Sequence, residues 1–96
     1  MIARIMGEGQ WTLAAADIDV LNALDDELVA AVEDAVEADG EERFRGALGV
    51  LLAEVRRRGT RLSDDEQEAS EFILPSSDAS LREVREMLSD GGLIPG

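Results

Sequence analysis

Glu41-Glu42-Arg43-Phe44-Arg45-Gly46-Ala47-Leu48-Gly49-Val50-Leu51-Leu52-Ala53-Glu54-Val55-Arg56-Arg57-Arg58 is the stretch whose periodicity decides the fold. Phe44, Ala47, Leu48, Leu51, Leu52 and Val55 recur at three- and four-residue steps, which is one wide apolar stripe on an α-helix. Two glutamates open the segment and three arginines close it, matching the helix dipole at both ends. At about 1.5 Å per residue the helix spans roughly 27 Å, the width of a small domain. Burying each large side chain of the stripe is worth about 1.5–3 kcal/mol before chain entropy is subtracted. No other segment offers as much, so this helix is expected to form the base of the core.

The preceding residues supply a second helix. Asp17 is placed to cap it, and Ile18, Leu21, Leu24, Leu28, Val32 and Val36 recur at helical spacing. Asp25, Asp26, Glu27, Glu33, Asp34 and Glu37 are assigned to the solvent side. Asp39-Gly40 ends this helix, with Gly40 in a left-handed conformation, and Asp39 has capping-box spacing toward the next helix. So short a connection makes the two helices antiparallel. Gly46 and Gly49 each cost the second helix about 1 kcal/mol relative to alanine. They mark either a close backbone approach or a plain surface position.

Upstream, Ile2-Ala3-Arg4-Ile5-Met6 and Gln10-Trp11-Thr12-Leu13 flank Gly7-Glu8-Gly9, which reads as a β-hairpin anchored by Trp11. Downstream, Gly59 stops the second helix. Residues 60–70 are polar and acidic without apolar period, the pattern of a solvated loop. Phe72-Ile73-Leu74 reads as a short third strand pairing with the edge of the first and ended by Pro75. Ser80-Leu81-Arg82-Glu83 is a capping box that starts a short helix with Leu81, Val84 and Leu88 inward and Met87 on its flank. Gly91-Gly92 ends that helix, and Leu93-Ile94-Pro95-Gly96 is an apolar tail that docks. The architecture expected is therefore α+β. An N-terminal hairpin with a short third strand packs on an antiparallel helix pair and a short C-terminal helix, in one domain covering 1–96.

Composition bounds function more by exclusion than by assignment. The chain has 22 acidic residues against nine arginines, no lysine, no histidine and no cysteine, for a net charge of −13. That charge opposes binding to nucleic acid and to anionic lipid. Self-repulsion also predicts a melting temperature that rises with added salt. An unchanged Tm between low and molar salt would contradict it. No apolar run reaches the roughly 18–20 residues of a membrane span, and no signal peptide is visible, which together read as cytoplasmic.

Zinc and copper lack His and Cys ligands, and neither Asp25-Asp26-Glu27 nor Asp64-Asp65-Glu66 has EF-hand spacing. Without His, Cys or Lys a serine nucleophile has no ordinary base, and Ser76-Ser77-Asp78 reads as a turn. Gly7-Glu8-Gly9 lacks the lysine of a P-loop, and Glu8 repels phosphate. The residues thus point away from an enzyme and supply no catalytic, cofactor or metal set. Arg56-Arg57-Arg58, with Arg61 behind, is the one basic cluster. It serves either the helix dipole and neighbouring acids or an acidic partner.

Three stretches together resemble the PspA-associated domain family, PspAA: Met1 to Trp11, Leu21-Asn22-Ala23-Leu24-Asp25-Asp26, and Phe72 to Leu81 followed by Leu93-Ile94-Pro95-Gly96. The chain departs from the family pattern at Asp39-Gly40, where the pattern has Gly before Asp, and in the acidic stretch 64–71. Members are encoded beside PspA, a coiled-coil protein that coats stressed membranes. The resemblance implies a cytoplasmic, non-enzymatic interaction module of an envelope-stress system. It acts through a PspA-like partner that recruits it to the inner face of the membrane, without direct membrane insertion. The hairpin edge around Trp11 and the cluster Arg56, Arg57 and Arg58 are the candidate partner contacts. Self-association is compatible with the sequence. The competing reading is a small acidic domain that binds a ligand or a divalent ion through paired carboxylates.

Overall fold

A computed structural model describes residues 1–33, 40–88 and 93–94 of the chain. The order is β1 (Ile2–Ile5), β2 (Gly9–Thr12), α1 (Ala15–Glu33), α2 (Gly40–Arg58), β3 (Thr60–Arg61), a 3₁₀ turn (Asp64–Glu66), β4 (Phe72–Leu74) and α3 (Leu81–Met87). The architecture is α+β, as the sequence predicts.

The hairpin closes through Gly7 and Gly9, whose φ angles of +83° and +126° fall where side chains are rarely tolerated. β1 pairs antiparallel with β2, setting Ala3 opposite Trp11 and Arg4 opposite Gln10. β4 joins the other edge of β1 in parallel, with Ala3 beside Phe72 and Ile5 beside Leu74. Alternation then sends Ala3, Ile5, Trp11, Phe72 and Leu74 to one face, where they meet the helices in a single core. From the helices come Leu21, Leu28, Ala31 and Val32 of α1 and Phe44, Leu48, Leu51, Leu52 and Val55 of α2. The apolar stripe on α2 is thus the buried seam. Ala47, Ile18 and Leu24 lie partly buried against it.

Several local expectations need correction. Residues 60–70 are not a plain solvated loop. Thr60–Arg61 adds a fourth strand on β2, giving the sheet order β3-β2-β1-β4. Because β3 and β4 occupy opposite edges, the chain between them must cross the sheet. It crosses the face turned away from the helices, since its contacts are to Arg4 and Gln10. Gln10, fully buried, works there as a peptide mimic. Its Oε1 accepts the Glu68 N–H at 3.0 Å, while its Nε2 donates to the Glu68 carbonyl and to Ser70 Oγ at 2.7 Å. Arg4 donates to Gln67 at 3.0 Å, and Ser63 with Glu66 forms a capping box on the 3₁₀ turn. The acidic crossover is held by paired polar groups, a kind of order that hydrophobic periodicity does not register.

α1 begins at Ala15, so Asp17 lies within its first turn and accepts the Ala14 N–H at 3.3 Å instead of standing outside as the cap. Gly40 is the first residue of α2, not the end of α1. No neighbour lies within 4 Å of a Cβ built on Gly46 or Gly49, so the two mark open surface and not a close approach. The close approach is at Gly59, where a Cβ would sit 2.9 Å from Trp11 Cβ and 2.9 Å from the Val55 carbonyl. Val36, Glu37, Asp34, the Asp39 cap, Gly91-Gly92 and Pro95-Gly96 lie outside the described residues.

α3 has the capping box expected of Ser80 and Glu83, with the Glu83 N–H donating to Ser80 Oγ at 3.1 Å. Val84 is buried, and Leu81, Met87 and Leu88 pack partly against the core. Asp25, assigned from its acidic neighbours to the solvent side, is 1% exposed. Its carboxylate accepts the Leu93 N–H, at 3.0 Å to the nearer oxygen, and the Ile94 N–H at 3.0 Å. Leu93 and Ile94 are buried, so the tail docks as expected, with a buried carboxylate as its anchor.

Candidate interaction surface

The arginine cluster forms where α2 runs out beside the hairpin turn. Three arginines in the last turn of a helix are favoured by the exposed carbonyl end. Each then finds a carboxylate. Arg56 forks onto Glu8, its Nε donating to Oε1 at 2.8 Å and its Nη2 to Oε2. Arg57 forks onto Glu54 at 3.2 and 3.0 Å. Arg58 shares Glu54 at 2.8 Å and reaches Asp17 at 3.3 Å. Arg61 donates to the Glu8 carbonyl at 2.7 Å, and its guanidinium lies 5.7 Å from the centre of the Trp11 ring.

These contacts set the protonation of the group. The bonds from Arg56 hold the Glu8 carboxyl below the ordinary range, against a smaller opposing effect of burial. Those from Arg57 and then Arg58 do the same for Glu54. Arg56 and Arg58 are correspondingly pushed up by Glu8 and by Glu54. The cluster is therefore a locally neutralised network tying the hairpin turn and α1 to the end of α2. Trp11 is 6% exposed, with the Arg61 guanidinium over its ring, so it anchors the hairpin on the core. Of the four residues singled out from sequence, Arg56 and Arg57 present the most surface, while Trp11 is buried.

The exposed apolar surface lies elsewhere. Val50 on α2 is 51% exposed, and Met6 and Ile73 on the outer side of the sheet are nearly as open. On α2, Gly46, Gly49, Val50 and Ala53 are all exposed and fall at i, i+3, i+4 and i+7. They form a second uncharged face opposite the core seam. A shallow groove beside it is lined by Glu27, Arg43, Gly46, Ala47 and Val50. Sequence reading noticed the two glycines without recognising this face, although the spacing that reveals it was present. Asp25 was missed likewise, although it keeps step with Leu21, Leu28 and Val32 along the buried side of α1.

Among the described residues, no three of His, Cys, Asp or Glu come together as a metal-binding group. Also among them, no helix is long and apolar enough to cross a membrane. What the geometry offers is surface: a neutralised arginine network, an uncharged helical face and a shallow groove.

A family model described as PspA-Associated protein matches residues 1–96. The chain belongs to the PspAA family. No curated protein and no solved structure matches it. Within this PspAA chain, two of the stretches that carry the resemblance touch: Asp25 of the first helix holds Leu93 and Ile94 of the closing segment.

Proposed function

We propose that this PspAA protein is a non-enzymatic interaction module that binds a PspA-type protein of a membrane-stress response. Family membership carries the reading, because the family is described as PspA-associated. The surface chemistry supports it. The protein displays an uncharged helical face with ion pairs at both ends of it, features by which one folded chain can recognise another. The arginines Arg56, Arg57 and Arg58 form the polar rim of the contact, beside the hairpin that Trp11 anchors.

A net charge of −13 opposes direct adsorption to anionic lipid or nucleic acid, so presence at the inner face of the membrane comes through the partner. A cytoplasmic location belongs to the same reading. The test is co-purification of the tagged protein with the PspA homologue of the same cell, at low and at high salt. A stoichiometric complex is expected. Repeated absence of a complex under both conditions would sink the proposal.

A further inference from the structure

We infer that the solvent face of α2 receives a helix of the partner, one that carries carboxylates beside an apolar seam. The inference rests on the PspA-type partnership proposed above and assigns it a surface.

Charge distribution is the first observation. The run from Arg43 to Ala53 is the longest stretch of the chain without an acidic residue, in a sequence where 22 of 96 residues are acidic. Its core-facing positions account for only part of that. The exposed positions Gly46, Gly49, Val50 and Ala53 are uncharged as well, and Val50 is 51% exposed. The exposed positions of α1 mix Asp19, Asp26, Glu27 and Glu33 with Ala15, Ala16, Val20 and Ala23. On α2 the four uncharged exposed positions lie together between charged ends, and two of them are glycine.

The second observation is a local cost with no internal return. Glycine at two exposed helical positions lowers helix stability by about 1 kcal/mol each relative to alanine. Nothing in the protein lies within 4 Å of a Cβ at either position, so no internal contact requires glycine there. A face without side chains lets another backbone approach closely, and the adjoining groove gives that approach a path.

The rim selects the occupant. Five of the nine arginines lie on α2, at both ends of the uncharged face. Arg45 pairs with Glu41 and Arg57 with Glu54, and both arginine side chains are more than half exposed. Exposed ion pairs contribute only about 0–1 kcal/mol, so both arginines can turn to an incoming carboxylate at little cost. A second copy of this chain fits poorly. Laid parallel, α2 on α2 sets arginine against arginine, and in either direction each α2 brings Val50 as its one large exposed apolar side chain. A partner helix with carboxylates flanking an apolar seam meets both the face and its rim.

The test uses full-length protein and the PspA homologue of the same cell, with dissociation constants measured for three variants. Val50→Asp places a charge in the face, and its Kd is expected to rise at least about tenfold. The double variant Gly46→Gln/Gly49→Gln fills the face with better helix formers, so it is expected to melt higher than wild type while binding at least about tenfold more weakly. Higher stability with lost affinity separates a blocked surface from a damaged fold. Val20→Asp, at an exposed apolar position of α1, is expected to bind as wild type. If wild type binds and both α2 changes leave Kd unmoved, the face is not the contact. If wild type itself fails to bind, the PspA partnership is overturned, and this inference with it.

Discussion

Replacing Asp25 by alanine is expected to lower the unfolding free energy by about 2–4 kcal/mol, because the Leu93 and Ile94 N–H groups lose their acceptor inside the protein. For a chain of this size that corresponds to a fall in Tm of about 10–25 °C. Asparagine keeps one acceptor oxygen but turns an NH₂ toward a donor, so Asp25→Asn recovers only part of the loss.

The same residue leaves a signature in the pH dependence. Burial pushes the Asp25 carboxyl up, only partly countered by the Ile94 and Leu93 N–H groups, and Asp26 adds to the rise. The folded protein therefore keeps this proton at pH values where the unfolded chain has released it. The stabilisation is complete below the unfolded pKa and declines as pH rises through the folded one. Glu8 works in the opposite sense. Its carboxyl is held down by Arg56, so its contribution is present above the unfolded value and fades as pH falls through the folded one. Removing Asp25 deletes the declining limb alone. The stability gap between wild type and Asp25→Asn should narrow as pH rises from just above the ordinary carboxylate value. Urea midpoints at closely spaced pH values measure this, and a constant gap would contradict the account.

Phe44→Ala should cost still more. Phe44 is fully buried in the α2 seam and is among the largest side chains of the core. Truncation of such a residue removes its transfer free energy and leaves a cavity, together about 3–5 kcal/mol. Small domains hold only about 5–15 kcal/mol in total, so this one change consumes much of the margin. Trp11, the one tryptophan, lies in the same core and provides a fluorescence probe of the urea transition. The matched comparison is Val50→Ala on the exposed side of the helix, expected within about 0.5 kcal/mol of wild type. Equal effects at Phe44 and Val50 would mean the seam has been assigned to the wrong side of α2.

Much of the architecture could be read from local pattern. The seam on α2, the hairpin around Gly7 and Gly9, the pairing of Phe72–Leu74 with β1 and the Ser80 capping box each announce themselves within a few residues. Side-chain periodicity, glycine freedom and capping geometry act over that range. The surface was less legible. Arg56, Arg57 and Arg58 read as a basic cluster, but Glu8 lies 48 residues from Arg56 and Asp17 lies 41 from Arg58. Whether such arginines stay open to a partner depends on which acids the fold delivers to them.

Spacing and composition alone establish one amphipathic helix of high apolar content, a short hairpin and an acidic chain without lysine, histidine or cysteine. The helix and the hairpin follow from forces between near neighbours. Tertiary packing settles that residues 60–70 contribute an edge strand and a clasped crossover, that one carboxylate of α1 goes inside to hold Leu93 and Ile94, and that an uncharged face of α2 remains uncovered. Each depends on groups brought together from distant parts of the chain: Gln10 is 58 residues from Glu68, and Asp25 is 68 from Leu93. A polar side chain carries no local mark of the partner it will meet, and an apolar position carries none of whether anything will cover it.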